Sequence, residues 1–281
     1  MTRQPTAPLL LRALALCIGG VLSTVFAFIL FSASEAAWKG SGLHLFGTVW
    51  SPQAGRFGIA PMIHASLLLS VSALCCGWLL SLGCCCVLRG LGPKRLSALL
   101  GVTLRFMTSV PTVVYGFTAV FLLVPLIREG LGGSGFCWLA ACIVLALQGV
   151  PTMTLVMDEA LRALSAETSL TSAALGLTGL QNLSRVVLPA ARPWLASAGV
   201  LGFGRALGDT LLPTMLAGNA VQFAASPLDS MRTLTAHIGL VLSSDIGGGE
   251  NLSLLVAGGL LLLGSVAASL LAHRAAGRRE R

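Results

Sequence analysis

The sequence predicts an all-α integral membrane protein with about six transmembrane helices, and three observations carry that prediction. Hydrophobic residues fill 55% of the 281 positions and charged residues only 10%, with a mean hydropathy of +0.88. Soluble chains carry about 25% charged residues and cannot hide this much apolar surface, while disordered chains are poor in it. The apolar residues also gather into six runs, each long enough for the roughly 20 helical residues that cross a bilayer core. Finally, the apolar–polar alternation of a membrane barrel is absent, so the spans are helices.

The spans are expected near Leu9–Phe31, Pro61–Leu88, Thr103–Ile127, Phe136–Met157, Trp194–Ala217 and Leu252–His273. The first, with Arg3 and Arg12 ahead of its apolar run Ala13–Phe31, resembles a signal peptide in outline. Its apolar run exceeds the roughly 7–15 residues of such a segment, so it reads as an uncleaved anchor. Lys and Arg distribution sets the orientation. Arg3, Arg12, Arg89, Lys94, Arg95, Arg105, Arg162, Arg185, Arg192, Arg274, Arg278, Arg279 and Arg281 fall on one side, and only Lys39, Arg56, Arg128 and Arg232 on the other. The basic side is cytoplasmic, which puts both termini in the cytoplasm.

Between the spans, Ser32–Ala60 is an outer segment with Pro52, Gly55 and Gly58 as turn formers. Gly218–Asn251 is a second outer segment, and Arg232–Leu242 within it is expected to form a short helix. Asp158 to Pro193 lies on the basic side and is long for a mere connection.

The net charge of +8 does not indicate nucleic acid, because the basic residues form no single stripe and aromatic residues are 6% of the chain. Five of eight cysteines crowd the second span (Cys75, Cys76, Cys84, Cys85 and Cys86) without carboxylate company, and they read as small packing residues rather than metal ligands. His44, His64, His237 and His273 have no ligand spacing. No nucleophile elbow, HExxH or phosphate-cradling glycine loop is present, so no cofactor or metal is expected, and any ATP hydrolysis would belong to another chain.

Several motifs point to transport. Ala173-Ala174-Leu175-Gly176, nine intervening residues, then Val186-Val187-Leu188-Pro189 reads as a helix, a glycine break and a second helix. This pattern resembles the EAA loop of ABC importer permeases, which docks into the cytoplasmic ATPase of that family. The usual Glu-Ala-Ala falls here on Leu170, Thr171 and Ser172, so the acidic residue is replaced, with Glu167 one turn earlier. Ser109-Val110-Pro111-Thr112-Val113-Val114-Tyr115-Gly116 resembles a signature of phosphate-specific permeases. Trp50-Ser51-Pro52 with Phe57-Gly58 and Pro61, Gly204-Arg205-Ala206-Leu207-Gly208-Asp209-Thr210, and Arg232-Thr233-Leu234-Thr235-Ala236 are similar to further segments of the same family. Asp209 stands where the family more often has Glu. Met215-Leu216-Ala217-Gly218-Asn219 is more similar to the C-type than to the A-type permease.

The resemblance implies a type I ABC importer permease fold in a bacterial inner membrane. The chain would comprise an anchor and first outer loop (1–60), a permease domain (61–273) and a basic tail (274–281). It further implies a second permease subunit, two ATPase subunits and an extracytoplasmic phosphate-binding protein as partners, with lipid around the spans. ATPase coupling would fall to Ala173, Ala174, Leu175, Gly176, Leu177, Leu188 and Pro189.

Residues of the substrate path are expected at Arg205, Asp209, Pro111 and Tyr115. Arg205 and Asp209 are four apart, which on a continuous helix puts them on one face. A charge inside a span is expensive, and an ion pair there is a poorer filling than two apolar residues, so Arg205 is expected to attract an anion while Asp209 orients it. Pro111 is expected to kink the third span. Permeases for molybdate, tungstate or sulfate share the elbow. An ion-coupled secondary transporter fits less well, since Asp209 is almost the lone acid in the spans.

Overall fold

The computed structural model describes residues 6–39, 45–243 and 248–277. Arg3, His44 and residues 278–281 of the basic tail lie outside them. The helices run in chain order as α1 (Thr6–Lys39), α2 (Ala60–Cys86), α3 (Lys94–Ser109), α4 (Thr112–Leu131), α5 (Trp138–Ala174), α6 (Gly179–Asn182), α7 (Leu188–Ala190), α8 (Arg192–Gly208), α9 (Leu211–Leu216), α10 (Leu234–Leu242) and α11 (Gly248–Gly277). One small hairpin, β1 (Trp50–Ser51) with β2 (Arg56–Phe57), pairs antiparallel around Gly55 in the first outer segment, where turn formers were expected.

Helices dominate because lipid offers no partner to backbone amides and carbonyls, so each span must bond within itself. Five helices are long and apolar enough to cross a membrane, namely α1, α2, α4, α5 and α11, and the bent pair 179–190 plus α8 makes a sixth. α5 is the central element: 67% of its most apolar window is buried, against none of α1's, which packs along α11 at the periphery.

Two predicted spans are corrected. The third does not run from Thr103, because α3 stops at Ser109 and a new helix starts at Thr112. Pro111 is therefore the residue before a helix, not a kink within one. Proline pushes its predecessor out of the helical region, and Val110 is extended (φ −78°, ψ 124°). The fifth span ends at Gly208, with Asp209 extended (φ −71°, ψ 129°) before α9. The segment from Asp158 is likewise no separate loop, since α5 continues to Ala174 over 37 residues.

α2 and α5 pack side by side in parallel along a seam of small and polar residues at a constant offset. Ser81 Oγ, which donates to the Gly77 carbonyl at 2.7 Å, also approaches the Val150 carbonyl at 3.3 Å, Cys85 Sγ contacts the Thr154 carbonyl at 3.5 Å, and Arg89 pairs with Asp158. Each partner lies 69 residues further along the chain, and donors and acceptors both advance by four, one helical turn. Gly77 opens the seam: a Cβ there would sit 3.1 Å from the Ala146 carbonyl oxygen, tighter than side chains ordinarily allow, so glycine eases this approach. At the far end Arg89 Nε donates to Asp158 Oδ1 at 2.6 Å, and its Nη2 reaches Oδ2, a two-pronged pair. A π-helical turn at Val87–Leu91 presents that guanidinium.

Candidate functional site

The predicted elbow forms at the end of α5. Gly176 adopts φ +72°, Leu177 N donates to the Ser172 carbonyl at 2.9 Å and Gly176 N to the Ala173 carbonyl at 3.0 Å, a Schellman closure that glycine allows. Thr178 then caps α6, accepting from Gln181 N at 3.3 Å while Gln181 Oε1 accepts from Thr178 N at 2.8 Å. Buried Asn182 ties the two arms together, accepting from Ser172 Oγ at 2.8 Å and Thr168 Oγ1 at 3.3 Å. The elbow is thus braced, and its outer surface is apolar: Leu170 is 84% and Leu175 73% exposed. Ala173, Ala174 and Gly176 are exposed, Leu177 and Leu188 half-buried, and Pro189 exposed. Past a π-helical turn and α7, the chain bends by 65° into α8, where Pro193 lacks the amide to continue the ladder.

Arg205 sits three residues before the end of α8. It has no hydrogen bond or ion pair among the described residues, and it lines a cavity of about 650 Å³ between α5, α8 and α11. Thr152, Ser197, Ser265 and Ser269 supply hydroxyls to the same wall. An unpaired guanidinium on a spanning helix costs at least about 2.5 kcal/mol on insertion scales, so it needs a compensating role.

Asp209 does not supply one. The helix break removes the shared face expected for the pair, and no Arg205–Asp209 ion pair forms. The carboxylate instead accepts from Leu212 N at 3.0 Å in the first turn of α9, and the Asp209 carbonyl accepts from Thr235 Oγ1 at 2.8 Å. Asp209 therefore builds the break and pins it to α10.

The Pro111 segment approaches the same region. The Tyr115 hydroxyl is spent locally, donating to the Met107 carbonyl at 3.0 Å across the α3–α4 break. Sequence reasoning missed Gln148. This buried amide in α5 donates from Nε2 to Thr112 Oγ1 at 2.8 Å, bridging to the residue after Pro111, and it lines a small second cavity together with Arg205. Its signal was available: an uncharged amide in the middle of an apolar span.

On the opposite end of the bundle, the hairpin packs on α10. The Trp50 ring meets buried His237 edge-on at 4.4 Å, and Arg232 Nε donates to the Asn219 carbonyl at 2.9 Å. Burial, and secondarily the Arg232 charge, depress the His237 imidazole to about 4, so it is neutral near pH 7. Among the described residues no three His, Cys, Asp or Glu side chains converge as a metal site would require.

Residues 87–281 match the family described as "Binding-protein-dependent transport system inner membrane component". The chain is 32% identical over 235 residues to the probable ABC transporter permease protein YqgH of Bacillus subtilis, covering 82% of this chain and 76% of that one. It is 26% identical to the phosphate transport system permease protein PstC of Xylella fastidiosa (78% and 77% covered). To a probable PstC of Methanocaldococcus jannaschii the identity is 29% (70% and 69%). A chain of the inward-facing MetNI methionine ABC transporter superposes with a TM-score of 0.56 at 19% identity, covering 75% of this chain and 93% of that chain.

Proposed function

The chain belongs to the family of binding-protein-dependent transport system inner membrane components, with a type I ABC importer permease fold, and on that premise we propose that it forms the translocation path of an ATP-driven phosphate importer. It is a multi-pass inner-membrane transport subunit, and such permeases work with ATPase and permease partners. The observation that carries the phosphate reading is Arg205: an unpaired guanidinium, near the end of the helix that completes the sixth span, lines a largely apolar cavity with four hydroxyls in its wall and room for an oxyanion. Planar guanidinium donors match the oxygens of phosphate. Relatives named as phosphate permeases over most of their length support the same substrate.

In this reading the basic side, with both termini, is cytoplasmic, and a second permease subunit completes the path. Two ATPase subunits seat against the elbow, through Ala173, Ala174, Leu175, Gly176 and Leu177 with Leu188 and Pro189 behind them. An extracytoplasmic phosphate-binding protein delivers the anion at the end that carries the hairpin and α10. Closure of the ATPases moves the braced elbow, and α5 and α8 carry that movement to Arg205. The breaks at Pro111 and Asp209, with Tyr115 spanning the first, let α4 and α9 shift relative to their neighbours. No bond in the substrate is made or broken here.

The test is uptake of labelled phosphate by cells deleted for this chain, with molybdate and sulfate as competitors. Lost phosphate uptake, restored by the intact chain, is the expected result. Unchanged phosphate uptake with lost uptake of another oxyanion reassigns the substrate.

A further inference from the structure

We propose that Gln148 determines specificity in this path, its side-chain carbonyl accepting a hydrogen bond from the hydroxyl of a protonated oxyanion. The inference rests on the phosphate reading above and deepens it. Gln148 is 6% exposed, and its Nε2 is held by Thr112 Oγ1, yet its Oε1 is buried with no hydrogen-bond partner. Buried polar atoms are rarely left unpaired, because desolvation is then uncompensated.

The amide and Arg205 line one small cavity whose other walls are apolar, among them Leu145 and Met153. That cavity has room for about 10 Å³, the scale of a single water, so an oxyanion enters it only as α5 and α8 part. Its two polar groups are of opposite kind. A guanidinium only donates, and an amide oxygen only accepts. A fully deprotonated oxyanion such as sulfate brings acceptors alone, and beside Oε1 it sets lone pair against lone pair. Phosphate near neutral pH keeps at least one P–OH in both of its prevailing forms. Its oxygens accept from Arg205 while its hydroxyl donates to Oε1. A site that hydrogen-bonds a substrate hydroxyl rejects the analogue lacking it, because the site's own polar group is then stranded.

The experiment uses the assembled importer in proteoliposomes, with ATP and the binding protein saturated by either phosphate or monofluorophosphate, in which fluorine replaces the hydroxyl. Gln148→Met keeps the side-chain length and removes the acceptor. The maximal rate of phosphate import is expected to fall about tenfold while fluorophosphate import stays as it was. Unchanged phosphate import, or a proportional fall for both anions, overturns the proposal. Thr112→Val cuts the tether but leaves the acceptor, and is expected to lose less phosphate import than Gln148→Met; equal loss makes the amide a mere brace and overturns the proposal. Should Gln148→Met fail to assemble, Gln148→Asn withdraws the amide by one methylene. The same selective loss is expected of it, and wild-type import by that variant overturns the proposal. Wild-type importer that moves no phosphate at all would instead refute the phosphate reading, a distinguishable outcome.

Discussion

Arg89→Ala should loosen the C-terminal part of α5 without unfolding the bundle. The Arg89–Asp158 pair is two-pronged, and its side chains are 24% and 25% exposed, so it lies between two regimes. Exposed pairs contribute about 0–1 kcal/mol, and breaking a buried pair costs about 3–5 kcal/mol. At one-quarter exposure, about 2 kcal/mol is the reasonable value, which corresponds to roughly a 30-fold change in a local opening equilibrium. The loss should be confined to what the pair clamps, the stretch 158–174 that leads to the elbow, because the Ser81 and Cys85 contacts still hold the rest of the seam. Hydrogen exchange of the importer in nanodiscs reads this directly: amides from 159 to 174 should exchange about 30-fold faster, and those from 140 to 150 at the wild-type rate. Reversing the pair, Arg89→Asp with Asp158→Arg, should recover most of the protection. Exchange unchanged in the single variant, or faster uniformly along α5, would refute the reasoning.

Other perturbations have defined outcomes. Gly176→Val places a β-branched residue at φ +72°, a strain of about 1–2 kcal/mol, and a Cβ there meets nothing within 4 Å in this chain. Phosphate imported per ATP hydrolysed should fall, whereas Gly176→Asn should keep it. Arg205→Gln should abolish phosphate uptake with normal membrane insertion, and Arg205→Lys should retain part of it, both measured with labelled phosphate. Pro111→Ala releases Val110 toward helix and lets α3 run into α4, so the import rate should change; unchanged kinetics would make the break a passive one. Because burial depresses the folded His237 imidazole to about 4 from its ordinary value of 6.5, the neutral form is the stable one. Its contribution, about 3 kcal/mol, is therefore complete above pH 6.5 and is lost as pH falls from 6.5 toward 4. Thermal melts of wild type should show that loss, and His237→Phe should flatten it.

What was legible in the sequence, and what was not, follows from the range of each interaction. The spans are local facts of composition, so α1, α2 and α11 sit close to where hydropathy puts them, and α5 starts where it should but runs on past Met157. The elbow was legible too, since glycine in a left-handed turn and a capping Thr178 act within a few residues. The break at Pro111 was misjudged, because α3 carries an apolar stripe at helical spacing (Leu96, Leu99, Val102 and Phe106) that merges with the next apolar run in any window. Asp209 misled in another way: four-residue spacing signals a shared face only while the helix continues, and its carboxylate terminates that continuity by capping α9. Arg89–Asp158 and Gln148–Thr112 were invisible for a simpler reason. Their partners lie 69 and 36 residues apart, and pairing at that range is decided by packing, not by local pattern.

The length of α5 has a mechanical consequence. Its 37 residues follow a contour of about 55 Å, while the hydrocarbon core is about 30 Å thick. Some 25 Å of helix therefore exceeds what the hydrocarbon needs, and α5 runs on past its internal Pro151 to Ala174, just before the elbow at Gly176. Tilting such a rod by about 10° sweeps its tip through roughly 4 Å while displacing its buried midpoint by far less. The geometry works as a step-down gear in the inward direction: a coarse stroke at the tip becomes a fine adjustment beside Gln148, of the size that decides whether a slot admits a single water or an anion.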